Sequence, residues 1–159
     1  MKYFEDVRVG DATIFGQHAF TAEEIKRFAA QFDPQPFHLD EAAAARSHFG
    51  ALCASGWHTV VMWMRLAILH QRAADEARWA RGEPVARLGA SPGFRDLKWL
   101  KPVYVGDTVT YATEVIETRV SKSRPTWGLM FNRNTGTNQA GDVVMSFIGS
   151  GFVERRPNK

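Results

Sequence analysis

Two side chains able to exchange protons, Asp33 and His38, stand five positions apart in the segment Phe32-Asp33-Pro34-Gln35-Pro36-Phe37-His38-Leu39-Asp40. A carboxylate and an imidazole facing one cavity form an acid/base pair, in which one group takes a proton and the other returns it. Proline disfavours the α region for the residue before it, so Asp33 and Gln35 are pushed towards extended geometry and an incoming helix must stop near Phe32. Pro34 and Pro36 also fix φ, which limits how far the two side chains can wander. The spacing therefore predicts a stiff loop that presents the pair, the kind of segment on which functional side chains concentrate. The plainer reading is that Asp33 ends a helix and His38 is a hydrogen-bonded core histidine.

Other chemistry-bearing groups form weaker constellations. His38, His48 and His58, with Asp40, are spaced ten apart, which matches no standard ligand spacing, so no metal is expected. Cys53 and His58 could be drawn as nucleophile and base, but nothing beside the cysteine promotes a thiolate, and a small buried residue is the better reading. Ser55 lacks the Gly-x-Ser-x-Gly elbow and reads as a helix cap within reach of a ligand.

The elements that must position Asp33 and His38 can be read on either side of them. Residues 12–20 mix β-branched and aromatic residues with polar ones and read as a strand. Thr21 and Glu24 stand in the capping-box relation, with Phe20 and Ile25 as a hydrophobic staple, so a helix should begin at Ala22. Its apolar stripe, Ile25, Phe28, Ala29 and Phe32, delivers Asp33 to the edge of whatever it packs on. Asp40 can cap a short helix over 42–45, and Gly50 can end the irregular stretch beyond it. Ser55 then caps a helix running from Gly56 to about Ala74. It is apolar almost all round (Trp57, Val60, Val61, Met62, Trp63, Met64, Leu66, Ile68, Leu69), which predicts burial, with its second half emerging into solvent beyond His70.

After Gly82 and Pro84 the pattern predicts strands at about 86–90, 94–100, 107–120, 126–135 and 142–153, with a polar, mobile loop at Thr137-Asn138-Gln139-Ala140. One buried helix followed by several long antiparallel strands predicts an α+β architecture with the sheet wrapped around the helix. The open sheet edges left over predict dimerisation.

Bulk properties narrow the function classes. The 159 residues suit a single domain over 1–159, and 45% hydrophobic with 12% aromatic residues is a globular composition. A charge of +3, from 20 Lys+Arg against 17 Asp+Glu with no basic run longer than Arg155-Arg156, does not support nucleic-acid binding. The single Cys53 rules out an internal disulfide and fits a reducing, cytoplasmic setting. The acidic start Met1-Lys2-Tyr3-Phe4-Glu5-Asp6 points away from export. Arg65 interrupts the most apolar run well short of the roughly 20 residues of a membrane span.

The motifs Asp33-x-Gln35-Pro36-x-His38-x-Asp40, Phe49-Gly50, Ala54-Ser55-Gly56-Trp57 and Lys101-Pro102-Val103-x-x-Gly106-Asp107-Thr108 closely resemble the MaoC-like acyl dehydratases, among them the (R)-specific enoyl-CoA hydratases. The resemblance runs from about residue 5 to 153. It implies a hotdog fold with the long helix at its centre, homodimers with active sites near the interface, and a role in fatty acid metabolism. It further implies that Asp33 and His38 hold a water and add it across the 2,3 double bond of an enoyl thioester. Such a reaction needs no metal or organic cofactor, coenzyme A being part of the substrate.

The enolate-like charge would be met by main-chain N–H groups at the start of the long helix, Gly56 first. Gly56 also suits close ligand approach to the backbone. Gln35, Ser55 and Trp57 are the candidate substrate contacts. The chain departs from many relatives at Phe32, Gln35 and Ser55, where Gly, Asn and His are common, and at about Met64, where some carry Ser. Trp57, Trp63 and Met64 would narrow an acyl tunnel, or Trp63 and Met64 are simply core. Lys98, Lys101, Lys122 and Arg124 are candidates for the phosphates of coenzyme A, or solvated surface charges. The sequence thus predicts a lyase acting on acyl-CoA or acyl-carrier thioesters. A hotdog thioesterase and a non-catalytic subunit of a heteromeric dehydratase stand as alternatives.

Overall fold

The computed structural model describes residues 1–157. Five strands form one antiparallel sheet: β1 (Ala12–Ala19), β2 (Phe94–Trp99), β3 (Thr108–Val120), β4 (Trp127–Thr137) and β5 (Val143–Glu154), in the order β1-β3-β4-β5-β2. β1 and β2 are the free edges. Before the sheet is completed the chain makes four helices, α1 (Ala22–Phe32), α2 (Pro36–Leu39), α3 (Glu41–Ala45) and α4 (Gly56–Ala80).

The helix starts follow local chemistry. Thr21 Oγ1 accepts from the Glu24 N–H, Asp40 Oδ1 from Ala43 N–H and Ser55 Oγ from Trp57 N–H, so each side chain satisfies an amide that the helix itself cannot. The segment expected to be a loop throughout is a loop only at its first half. Pro36 supplies the fixed φ that suits a first helical position, and Pro36–Leu39 closes one helical turn, with Asp40 N–H donating to the Pro36 carbonyl at 3.0 Å. His38 therefore rides on a helix, while Asp33 is the C-cap that ends α1, at φ −152° and ψ 69°.

The long helix lies across the sheet face. Trp63 wedges between Phe15 of β1 and Phe147 of β5, with ring centroids 6.0 and 4.7 Å away, and Met62 joins a core of Phe20, Ile25, Val109, Tyr111 and Met145. The expectation that α4 is buried all round is corrected. His58, Thr59 and Met62 are buried, but Trp57, Val61, Met64 and Ile68 are each 46–51% exposed. A single five-stranded sheet covers one side of a helix, and these four side chains stay half exposed among the described residues. No helix among the described residues is long and apolar enough to cross a membrane.

Two further expectations change. Residues 86–90 form no strand. Leu88 makes only an isolated bridge to Val153, and the Ala86 N–H is taken by the Met1 carbonyl instead of by β5. The loop expected to be mobile is tied down: Asn138 Oδ1 accepts from the Ala140 and Asp142 N–H groups, and Gln139 donates to Asp107 at 2.6 Å while accepting from Thr108 N–H.

Under the start of α4 lies an unpaired imidazole. His58 is buried, stacks parallel on Phe28 at 4.5 Å and leaves Nδ1 without a partner among the described residues. Burial, reinforced by His18 and Arg27 and opposed by Glu24, pulls its pKa from 6.5 down to about 4. A histidine whose folded pKa is lowered binds its proton more readily when unfolded, so stability falls as pH drops from 6.5 towards 4. Between pH 7 and pH 5 this group should remove about 2 kcal/mol of stability. Urea unfolding at the two pH values should give that difference, and His58→Phe should remove most of it.

Candidate active site

The end of α1, the single turn of α2 and the start of α4 meet over the edge of β2, around a cleft of about 450 Å³. Asp33, Gln35, His38, Ser55, Gly56 and Trp57 all line it, so the sequence-predicted groups share one cavity. A cleft of about 490 Å³ at Tyr3, Asp6, Arg78, Glu83 and Arg156 is built differently. Its arginines are paired with its carboxylates, Arg78 to Glu83 and Arg156 to Asp6.

His38 is 5% exposed and its ring is fixed from behind. Nδ1 lies 2.7 Å from the Cys53 carbonyl oxygen. A carbonyl can only accept, so Nδ1 carries the proton and donates it, and in the neutral ring Nε2 is left with the free lone pair. That Nε2 faces Asp33 Oδ2 at 3.6 Å, too long for a direct hydrogen bond.

Asp33 is held equally firmly. Gln35 Nε2 donates to Oδ1 at 2.8 Å, and the Asp33 N–H bonds back to the Ala29 carbonyl. Burial pushes the Asp33 carboxyl up, but the hydrogen bonds from Ser55 and Gln35 and the charge of His38 outweigh it, and the net shift is downward. The carboxylate is thus ionised at neutral pH.

The expected substrate contacts have other partners. Ser55, 1% exposed, caps α4 and supports Asp33, and Gln35 is committed to Asp33. Thr59 Oγ1 donates to the Gly56 carbonyl at 2.6 Å, and the Ser55 carbonyl takes the N–H groups of His58 and Thr59. The Gly56 N–H is left as the amide of that first turn without a partner among the described residues. The supposed reason for the glycine is corrected, however. A Cβ at Gly56 would fall 2.4 Å from Trp99, so its open side is filled by an indole rather than by space for a ligand.

The four basic candidates separate. Lys101 lines the cleft, where Asp142 holds its Nζ at 2.7 Å. Lys98 stands on β2 outside the lining. Lys122 and Arg124 sit in the β3–β4 turn beside Trp127, which pairs with Glu154 at the far end of the sheet from Thr137 and Val143. Cys53 contacts His38 rather than His58, at 3.8 Å from Nδ1, and burial pushes its thiol up to about 11, which leaves no thiolate. No group of three or more His, Cys, Asp or Glu among the described residues is arranged to hold a metal ion.

Sequence reasoning missed Trp99, Tyr104 and the Cys53 carbonyl. Tyr104 bridges to Cys53 and donates its hydroxyl to the Phe49 carbonyl at 2.9 Å. The available signals were a tryptophan just before Leu100-Lys101-Pro102 and a glycine demanding close approach.

Comparison with known proteins agrees with this architecture. Residues 8–126 match the MaoC like domain, and the chain belongs to that family. It is similar to the mesaconyl-CoA hydratase of Cereibacter sphaeroides, 34% identical over 159 aligned residues that cover 98% of this chain and 42% of that protein. A crystal structure of a MaoC-like dehydratase from Rhodospirillum rubrum is 36% identical, with a TM-score of 0.81 over 99% of this chain and 100% of that one. A protein of Mycobacterium tuberculosis described as a double hotdog fold superposes with a TM-score of 0.77, covering 99% of this chain and 46% of that one, at 18% identity. The fold is the hotdog fold. The chain spans 29–60% of the length of the curated relatives it matches.

Removing the hydroxyl in Ser55→Ala should cost about 1 kcal/mol through the lost cap. It should also raise the Asp33 pKa, because a bond to the charged form is lost. Carboxyl-carbon NMR titration would check the shift, and a pKa that stays put or falls would contradict the assigned role of Ser55.

Proposed function

We propose that this chain is a lyase that adds water to, or removes it from, the 2,3 double bond of an enoyl thioester. The observation that carries the reading is the arrangement of Asp33 and His38. An ionised carboxylate and an imidazole lone pair lie 3.6 Å apart inside one cleft, close enough for one water beside them to donate to both. As the water oxygen bonds to C3, its proton passes to the Asp33–His38 pair and the C2–C3 electron pair moves towards the thioester oxygen. That oxygen would be met by the Gly56 N–H at the positive end of α4. The proton held by the pair then goes to C2 and the carbonyl re-forms. The electron-withdrawing thioester activates C3 by itself, so the reading invokes no cofactor beyond the coenzyme A or carrier arm of the substrate. The name of the mesaconyl-CoA hydratase relative supports it. A cytoplasmic setting fits the single free Cys53.

The proposed assembly is a homodimer. Trp57, Val61, Met64 and Ile68 recur at helical spacing along the uncovered face of α4, beside the free edge of β2. A second copy would remove both from water. Light scattering should then give twice the 17.9 kDa of one chain, and Ile68→Glu should shift it towards one.

Asp33→Asn and His38→Ala should fold normally, yet each should lose about 10²-fold or more in crotonyl-CoA hydration, followed by loss of the enoyl absorbance. Unchanged turnover in either variant would sink the proposal. Release of free thiol without change at the double bond would indicate a thioesterase instead. Inactivity of the purified homomer on a panel of enoyl thioesters would indicate a silent subunit.

A further inference from the structure

His38 is fixed at Nδ1 by one hydrogen bond, and one hydrogen bond sets a point on a ring but not the direction in which its far atom aims. The ring plane needs a second contact. Phe37 meets the imidazole edge-on at 4.6 Å, and Phe49 packs on Phe37 at 5.0 Å and lies 6.3 Å from the imidazole, all within the range of aromatic pairing. Phe49 is held in turn by Tyr104, whose hydroxyl donates at 2.9 Å to the Phe49 carbonyl, an oxygen with no other partner among the described residues. The backbone of the same tyrosine bridges to Cys53, the residue that anchors Nδ1. Tyr104 thus fastens both groups that orient His38. Gly50, at φ +74°, lies between them and tolerates a wide range of backbone conformations, so the Phe49 side can relax if its tie is lost.

We propose that Tyr104 is a positioning residue: its hydroxyl, through the Phe49 carbonyl, keeps the Phe49 and Phe37 rings against His38 and so keeps Nε2 aimed at the water beside Asp33. The inference rests on the reading above, in which His38 shares the proton of that water. Without the hydroxyl the Phe49 carbonyl is left unpaired, the two rings lose their backing and the imidazole rocks about its one remaining anchor. A group misplaced by about 1 Å can cost up to about 10²-fold in rate, and a ring that rocks but stays anchored costs less, about tenfold. The same rocking weakens the Nδ1 hydrogen bond that selects the tautomer, so the Nε2–H form joins the Nδ1–H form.

The test is Tyr104→Phe, which removes the hydroxyl and keeps the ring, read in two ways. The kcat for crotonyl-CoA hydration should fall about tenfold. The nitrogen resonances of the His38 ring, assigned by their loss in His38→Ala, should be far apart in the wild type, where one nitrogen is protonated and the other bare. They should draw together in Tyr104→Phe as the second tautomer appears. A merely structural role would lower stability and leave the resonances of the folded protein in place. Unchanged resonances would overturn the inference, and so would an unchanged kcat in the presence of an active wild type. If Tyr104→Phe does not fold by circular dichroism, Phe49→Leu decides by the same two readouts, because the hydroxyl acts through Phe49. Failure of the hydratase reading is separable: it appears as a wild type without crotonyl-CoA turnover, while the resonances still report whether Tyr104 orients His38.

Discussion

The hydrogen bond from His38 Nδ1 to the Cys53 carbonyl is the interaction on which the geometry of the cleft depends. It fixes which nitrogen carries the proton, and so leaves Nε2 as the free base on the Asp33 side. The carbonyl is itself held by backbone pairing between segments distant in sequence. Ala54 N–H donates to the Val103 carbonyl and Val105 N–H to the Leu52 carbonyl, on either side of the Cys53–Tyr104 bridge. A slip of one residue would turn a donor where the acceptor now stands. The imidazole thus inherits its orientation from main-chain register and not from its neighbours in the chain.

The start of α4 gathers the rest of the site. Ser55 serves the helix by accepting from Trp57 N–H and, with Gln35, helps to hold the Asp33 pKa down, so one side chain contributes to both helix capping and carboxylate ionisation. The unpaired amides of a helix start carry partial positive charge, which favours an anion nearby and suits an oxygen on which negative charge develops. Burial would by itself raise the Asp33 pKa, and the neighbouring donors reverse it. His58, one turn further on, has no such partner, and there burial wins. The two residues show the same rule with opposite outcomes: a buried ionisable group stays charged only where partners for the charge are supplied.

The cleft also lies beside the half-exposed face of α4 and an edge of the sheet. α4 buries one face on β1 and β5 and leaves the other open, and β2 is an edge strand with a register irregularity at Asp96, whose φ of +57° is tolerated by a short polar side chain. Trp57 and Trp99 meet there edge-on, so the cleft lining is continuous with the exposed face of α4.

Local chemistry was legible in the sequence because it acts over a few residues. The Thr21, Asp40 and Ser55 caps, the break imposed by Pro34, the strands from Phe94 onward and the common location of Asp33 and His38 all followed from side-chain type and spacing. What needed the tertiary structure were features set by groups far apart in the chain. The indole that explains Gly56 comes from position 99, and the carbonyl that fixes the His38 tautomer is main chain and has no signature in residue type. The half-exposed face of α4 was misread because an apolar residue records that a surface must be covered, not whether the same chain covers it. Residues 86–90 have strand-like composition, yet Ala86 bonds to Met1 and only a single bridge to β5 forms. The sequence determined which groups could do chemistry and roughly where they lie, and long-range packing decided which of them face one another, because side-chain type sets local conformation while distance in space is set by the whole fold.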